Sequence, residues 1–546
     1  MIKNKYYPYI LLFSSMFFFL PFLGKVHLFD WDEINFAESA REMIVSGNYS
    51  RVQIDFKPFW EKPPLFFWMQ ALCMQLFDVT DFAARLPNAI MGIISILSFY
   101  FIGKKLKDAT FGFIWALSYM GSFLPHLYFK SGIIDPTFNY FIFISLYLLY
   151  LSTAVEKENK SRGYAILGGI ALGLATLTKG PVGILIISIT FLVYWISIRF
   201  RKFTSMMNIT LFVFSLIIIS SLWFGLEIIK NGPWFISEFF KYQVNLLLTP
   251  VAGHQQPFYY HFIVIFLGCF PISIWALPAL FKGKLASSNN DVFHKLMFIL
   301  FWGVMILFSI VKTKIVHYSS LSYFPLSFLA ATVIYNIINK TIEIKKYLIW
   351  LLALVGIVFS ILLILVPLIA EYKDFIIPFI KDKFAVACLY SRVEWSGNEF
   401  LIGTFYLVFL VISISKILRG KTFFGVALML YSTAFCMFIY LAAVVPKIEK
   451  YSQASAINFY QSLSGKDVYV VPVGFKSYAQ YYYFKKQPNQ RKEADSEDWL
   501  INGSIDKPAY FVVKIANKDY FDSKPDCKFL KQDGGFLFYK RSPAKH

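Results

Sequence analysis

The chain has 546 residues, of which 57% are hydrophobic, 20% aromatic and only 16% charged. A soluble domain could not solvate itself with so little charge. The formal net charge of +20 does not point to nucleic acid either, because the lysines and arginines stand in short clusters between apolar runs.

Taken in chain order, the first apolar run, Tyr6 to Leu23, follows Lys3 and Lys5 like a signal peptide. No small-residue cleavage site follows it, and further apolar runs do, so an uncleaved first helix is expected. Spans are expected near 6–24, 83–103, 109–126, 135–154, 163–178, 181–198, 207–229, 258–281, 295–312, 316–338, 347–369, 399–417 and 422–445. That makes about thirteen spans, each near the ~20 residues a bilayer requires. Basic clusters stand at alternate connections between the spans: Lys104, Lys105 and Lys107; Lys157, Lys160 and Arg162; Arg199, Arg201 and Lys202; Lys282 and Lys284; Lys340, Lys345 and Lys346; Lys416, Arg419 and Lys421. The positive-inside rule puts these clusters and the N-terminus in the cytoplasm, and an odd span count puts the C-terminus outside. The chain is thus an α-helical polytopic membrane protein, with a membrane domain over 1–445 and outside loops near 25–82, 230–257 and 370–398.

From about Pro446 the composition turns polar. "YSQASAINFYQSL" predicts a helix, and "DVYVVPV", "YAQYYYF", "PAYFVVKI" and "GGFLFYK" predict short strands. Residues 446–546 are therefore expected to form a small α/β domain outside the membrane. Five cysteines make no disulfide framework. Cys388 and Cys527 both fall outside in this topology and could pair, but free thiols are expected.

The first outside loop is the longest and the most acidic at its start. "DWDEINFAESAREM" predicts a short helix over 32–46 on the membrane surface, with Ile34, Ala37, Ala40 and Ile44 as its apolar stripe. Trp31, Trp60, Phe66, Phe67 and Trp68 suit the interface, and Pro63 and Pro64 fix the backbone after Lys62. Glu38 and Glu42 can each pair with Arg41 at helical spacing and are read as solvated. Asp32 opens the helix beside apolar residues, where a carboxylate is either a cap or catalytic.

"WDEINFAESAREM" followed by "FWEKPPLFFW" resembles the first outside loop of the polyprenyl-phosphate-dependent GT-C glycosyltransferases. These comprise the protein O-mannosyltransferases and the bacterial aminoarabinose transferases that modify lipid A. "KSGIIDPTFNYF" puts Asp135 at an outside span edge, where that family carries a second acid. "LATLTKGPVGIL" matches its Thr-Lys-Gly-Pro turn, and "KTKIVHYSSLSYFPLSFLAA" a lysine-rich start to a later span. Length, span count and the outside C-terminal domain fit the aminoarabinose branch. One departure stands out: where many relatives carry Glu-His-Asn near residue 243 and then an arginine, this chain has Gln243 and Val244 and no arginine.

The resemblance implies a GT-C fold in a bacterial inner membrane, with the site facing the periplasm. The donor would be a polyprenyl-phosphate sugar and the acceptor lipid A, a protein hydroxyl or another envelope glycan. It implies an inverting displacement, with Asp32 as base and Asp135 as second acid. Lys62, Lys179 and Lys312 would face the donor phosphate, because a leaving phosphate needs positive charge nearby. Glu33, Arg41 and Tyr318 would support them. No cofactor is required. Glu61 and His254 could meet across two outside loops around a divalent cation, though two residues fall short of the four that structural zinc takes. No Gly-rich nucleotide loop is present, and "GGIALGLA" is a helix-packing stretch. A lipid-linked sugar transporter is the competing class. It would carry midplane charges and repeated halves, whereas the charges here gather at one face.

Overall fold

The computed structural model describes residues 4–59, 61–249, 255–282, 291–488 and 491–543. Among these, eight helices are long and apolar enough to cross a membrane: Asp81–Leu106, Asp135–Ala154, Met206–Asn231, Val292–Ile310, Val316–Ile338, Lys346–Glu371, Leu401–Leu418 and Thr422–Glu449. The polytopic helical fold is therefore borne out. Of the other expected spans, one is the unbroken helix Glu158–Lys179 and one the shorter Val182–Ser197, and the remaining three are shortened or broken. The first keeps only Tyr7–Phe19 as α-helix. The third divides into Ala109–Met120 and Phe123–Tyr128. The eighth divides into Tyr260–Gly268 and Ile272–Lys282, with Pro271 at the break, because proline supplies no N–H to continue a helix.

Local chemistry places the helix ends that matter. Asp135 opens its helix with Pro136 in the first turn, where a missing N–H costs nothing. Gly180, at φ +94°, ends Glu158–Lys179, and Pro181 starts Val182–Ser197. A Cβ on Gly180 would sit 2.5 Å from the Phe239 ring, so the turn holding Lys179 is built around glycine.

The loop helix runs Asp32–Ser46, with two acids in its first turn and Gly47 at φ +67° closing it. Its surroundings differ from the expectation. Every residue from Glu33 to Met43 is buried, so it does not lie half-solvated on the bilayer. The C-terminal region covers it. Tyr483 Oη accepts from the Leu28 N–H at 2.7 Å and donates to Asp81 at 2.9 Å. Arg41 reaches the Lys486 carbonyl at 2.8 Å. His27 Nδ1 lies 3.0 Å from Glu449.

The C-terminal region carries a four-stranded sheet in the spatial order Tyr469–Val473, Ala509–Lys514, Phe536–Arg541, Cys527–Asp533. The first pair is parallel and the other two antiparallel. The expected helix is Ala454–Leu463. "YAQYYYF" is not a strand but the helix Ala479–Phe484, buried between sheet and loop helix. Its aromatic content suggests a strand; packing against the loop decides otherwise. The edge strand Cys527–Asp533 was not foreseen, since it is mostly exposed and carries no alternating apolar pattern. All five cysteines are free and buried.

Glu38 does pair with Arg41, through two bonds of 2.7 and 2.6 Å, but both side chains are buried rather than solvated. Glu42 is buried beside them and accepts from the Phe56 N–H at 2.8 Å. Burial, with the Glu38 charge next, pushes its pKa up to about 9. The native state therefore holds a proton on Glu42 that the unfolded chain releases near its ordinary carboxylate value. Stability from this group is full below that value and falls as pH rises toward 9. Glu42→Gln should flatten this loss, seen as a thermal midpoint less dependent on pH between about 5 and 9. A pH slope equal to that of the unaltered protein would show that Glu42 is ionised in the fold.

Candidate functional site

Asp32 is the first residue of the loop helix, and its side chain makes no capping bond; Trp31 holds the N-cap position. The capping account of Asp32 therefore fails. Its side chain remains 41% exposed, while its neighbour Glu33 is buried. Facing it is His317, whose Nε2 lies 3.5 Å from Asp32 and 3.9 Å from Asp135. Asp135 in turn bonds Lys179 Nζ at 2.5 Å. A continuous line of charge thus runs from Lys179 through Asp135 and His317 to Asp32.

Lys62 lies within electrostatic reach of Glu61, Lys179, Asp32 and Asp135. Burial lowers its pKa; Lys179 adds to the lowering and the three carboxylates oppose it. Tyr318 stacks under Lys179, whose ammonium is 5.1 Å from the ring centre. Tyr478, from the C-terminal region, closes the far side. Its N–H reaches Asp30 at 3.3 Å, and its ring lies 5.5 Å from Trp31.

Several expected residues stand elsewhere. Glu33 and Arg41 are buried in structural ion pairs rather than open to the site. Lys312 is exposed after its helix and makes no ion pair with the cluster. Lys314 is buried, bonding the Val311 carbonyl at 2.8 Å, instead of extending to headgroups. His254 lies outside the described residues. Glu61 is beside the cluster, but among the described residues no three His, Cys, Asp or Glu side chains gather as a metal site. His317 was missed, although its segment was singled out, because spacing cannot reveal a contact with loops about 180 and 280 residues away.

The two aspartates are held by one buried carboxylate. Glu33 accepts from Arg85 at 3.0 and 2.7 Å, from the Phe29 N–H at 2.9 Å and from the Gly132 N–H at 2.5 Å. Burial alone would raise its pKa; the Arg85 guanidinium and the two N–H groups hold it below the ordinary value. Arg85 also donates to the carbonyls of Leu23, Val26 and His27. Asn88 donates to the carbonyls of Ser131 and Ile133, fixing the turn that delivers Asp135.

The comparisons agree with this architecture. A family model described as dolichyl-phosphate-mannose-protein mannosyltransferase matches residues 61–224. A protein of Edwardsiella ictaluri, named undecaprenyl phosphate-alpha-4-amino-4-deoxy-L-arabinose arabinosyl transferase, is 28% identical over 363 residues, 64% of each chain. One of the same name from Wigglesworthia glossinidia brevipalpis is 27% identical over 407 residues, 72% of this chain and 70% of its own. The crystal structure of ArnT from Cupriavidus metallidurans bound to undecaprenyl phosphate superposes with a TM-score of 0.78 at 17% identity, covering 97% of both chains. The resemblance read from the sequence is borne out, and the fold is the one these transferases share.

Removing Arg85 should loosen both aspartates together. Arg85→Met leaves Glu33 buried and uncompensated, a change worth about 3–5 kcal/mol. We expect a lower thermal midpoint in detergent, partly restored by adding Glu33→Gln. An unchanged midpoint in the single variant would mean that the pair does not hold the loop.

Proposed function

We infer that this protein, a membrane chain of GT-C fold, is a glycosyltransferase that takes a sugar from a polyprenyl phosphate and gives it to an envelope acceptor. Aminoarabinose transfer from undecaprenyl phosphate to lipid A, at the periplasmic face of the bacterial inner membrane, is the form the relatives support best. The observation that carries this reading is the convergence of Asp32 and Lys62 of the first loop with Asp135, Lys179 and His317 at one end of the membrane helices.

The chemistry follows from charge. An acceptor oxygen attacks the anomeric carbon, and the bond from that carbon to the phosphate oxygen breaks. The electron pair stays on the phosphate, which goes from a singly charged diester to a more highly charged monoester. Lys62 and Lys179 stand where that growing charge needs cations, and a site of low dielectric strengthens the effect. Asp32, open to the outer side, orients the acceptor or takes its proton where it is a hydroxyl. Asp135, tied to Lys179, keeps that ammonium in position, and His317 spaces the two carboxylates. One displacement inverts the anomeric carbon and leaves no sugar on the enzyme.

Two substitutions test this. In Lys62→Ala the donor phosphate loses a cation, so donor affinity should fall about tenfold or more, since bonds to charged groups contribute about 1.5–3 kcal/mol. Lys62→Arg should keep part of it. Binding of undecaprenyl phosphate by Lys62→Ala at the original affinity would reduce Lys62 to an interfacial anchor.

Asp32→Asn conserves size and removes charge and basicity. Transfer by the purified protein should drop about 10²-fold or more, the low end of what a positioned base supplies. Near-normal transfer would move the acid's role to Asp135 and remove Asp32 from the mechanism.

A further inference from the structure

A large cavity lies outside the catalytic cluster. It measures about 910 Å³ and is enclosed by the strand Tyr469–Val473, the helix Ala479–Phe484 and the turn at Asp55 of the first loop. That volume suits a headgroup of one or two sugars. The cavity adjoins the cluster through Tyr478, which lines the cavity and contacts Trp31 and Asp30 beside Asp32. Lys476, another lining residue, lies 5.0 Å over the Trp31 ring. Tyr478 also lies within electrostatic reach of Asp32.

The charges of the cavity are unequal once internal pairs are set aside. Lys486 is paired with Asp55, Lys507 with Asp467, and Asp495 with Lys57 from the loop. Lys466, Lys476 and Lys485 are exposed, and no carboxylate lies within 4.0 Å of them among the described residues. Among the described residues Glu497 is the one lining acid with no cation within 4.0 Å, and burial raises its pKa. Three unpaired ammoniums therefore face one weakened acid. A second observation points to a ligand. Gln480, 4% exposed, is a lining residue, and its Oε1 has no hydrogen-bond donor among the described residues. A buried carbonyl oxygen without a donor costs about 1–3 kcal/mol, which a sugar hydroxyl or ammonium would relieve.

We propose that this cavity seats the phosphate-bearing sugar headgroup of the acceptor and presents it to Asp32. The lysines take its phosphate, as ammoniums do at anion sites. Gln480 accepts from a sugar hydroxyl, and Tyr478 and Tyr481 provide ring faces. The donor would then approach from the membrane side, past Lys62 and Lys179, and the acceptor from the C-terminal side. This deepens the transferase reading and rests on it for the word acceptor.

The test uses the full chain in detergent and a water-soluble bisphosphorylated glucosamine disaccharide without acyl chains. The variant is Lys466→Ala, Lys476→Ala, Lys485→Ala combined, all surface changes, with the three arginine replacements as the charge-conserving control. We expect the disaccharide to bind the unaltered protein and the arginine form. The alanine form should lose about tenfold or more in affinity, with binding of undecaprenyl phosphate unchanged. In transfer assays the KM for the acceptor should rise and that for the donor should not. Equal disaccharide binding by the alanine form would overturn the proposal. So would equally tight binding of the dephosphorylated disaccharide, or displacement by inorganic phosphate at the same concentration, which would mark a free-phosphate site. Lysine-dependent binding in a protein that transfers no sugar would refute the transferase reading and leave the headgroup site standing. Transfer indifferent to the lysines would do the reverse.

Discussion

The arrangement depends on one buried carboxylate, that of Glu33. A charge removed from water is tolerated only when its hydrogen-bonding capacity is filled and an opposite charge stands against it. Glu33 meets both conditions by drawing together parts of the chain that are remote in sequence: Arg85 of a membrane helix, the Phe29 N–H of the first loop and the Gly132 N–H before Asp135. Asp32 is its neighbour on one side, and Asp135 follows Gly132 by three residues. The same carboxylate therefore sets where both aspartates stand. Arg85 extends the tie to three carbonyls at the start of the loop, so the loop enters its helix at a fixed height above the membrane helices.

That constraint explains why so apolar a chain concentrates acids at one edge. The loop acids divide by what each faces. Glu33 and Glu38 each meet an arginine, and Glu42 takes a proton for lack of one. Asp32 alone among these faces open space, with His317 as its nearest cation-forming group. Lys179 is balanced by Asp135, and Lys62 sits in the field of three carboxylates and one ammonium. An incoming phosphate would shift this balance toward negative charge, so it would hold the two lysines in their charged forms and bind best where both remain protonated.

Much of this was legible in the sequence, for a physical reason. Charged residues at the ends of apolar runs are costly unless used, so Asp32, Lys62, Asp135 and Lys179 stood out, and the helices at 32–46 and 135–154 followed from the apolar pattern. The resemblance to the GT-C transferases added the order of those motifs. What escaped was whatever depends on long-range packing. Glu38 and Glu42 read as solvated because helical spacing shows a partner but not the C-terminal cover above it. His317 and Tyr478 enter from segments far along the chain. Arg85 looked like any residue near a span. Lys312, next to a motif that matched, proved exposed: a lysine-rich segment carries several ammoniums, and only the fold selects among them. "YAQYYYF" carries strand-forming residues, yet consecutive buried side chains at Gln480, Tyr482, Tyr483 and Phe484 are a helix wedged between two surfaces.

That wedge also shows why the C-terminal region cannot be an independent appendage. The loop helix has no solvated face, since residues from Glu33 to Met43 are buried on every side. One side is closed by the helix Leu65–Phe77 and the strand Gln53–Ile54, the other by the helix Ala479–Phe484 and the backbone at Lys486. A helix of fifteen residues with a low apolar content would not hold that shape by propensity alone. Its stability comes from being enclosed, and the enclosing surface also carries Tyr478 to the edge of Asp32. The element that stabilises the loop helix is thus the element that also stands beside Asp32. Under the transferase reading, an acceptor reaching Asp32 would meet Tyr478 of the C-terminal region.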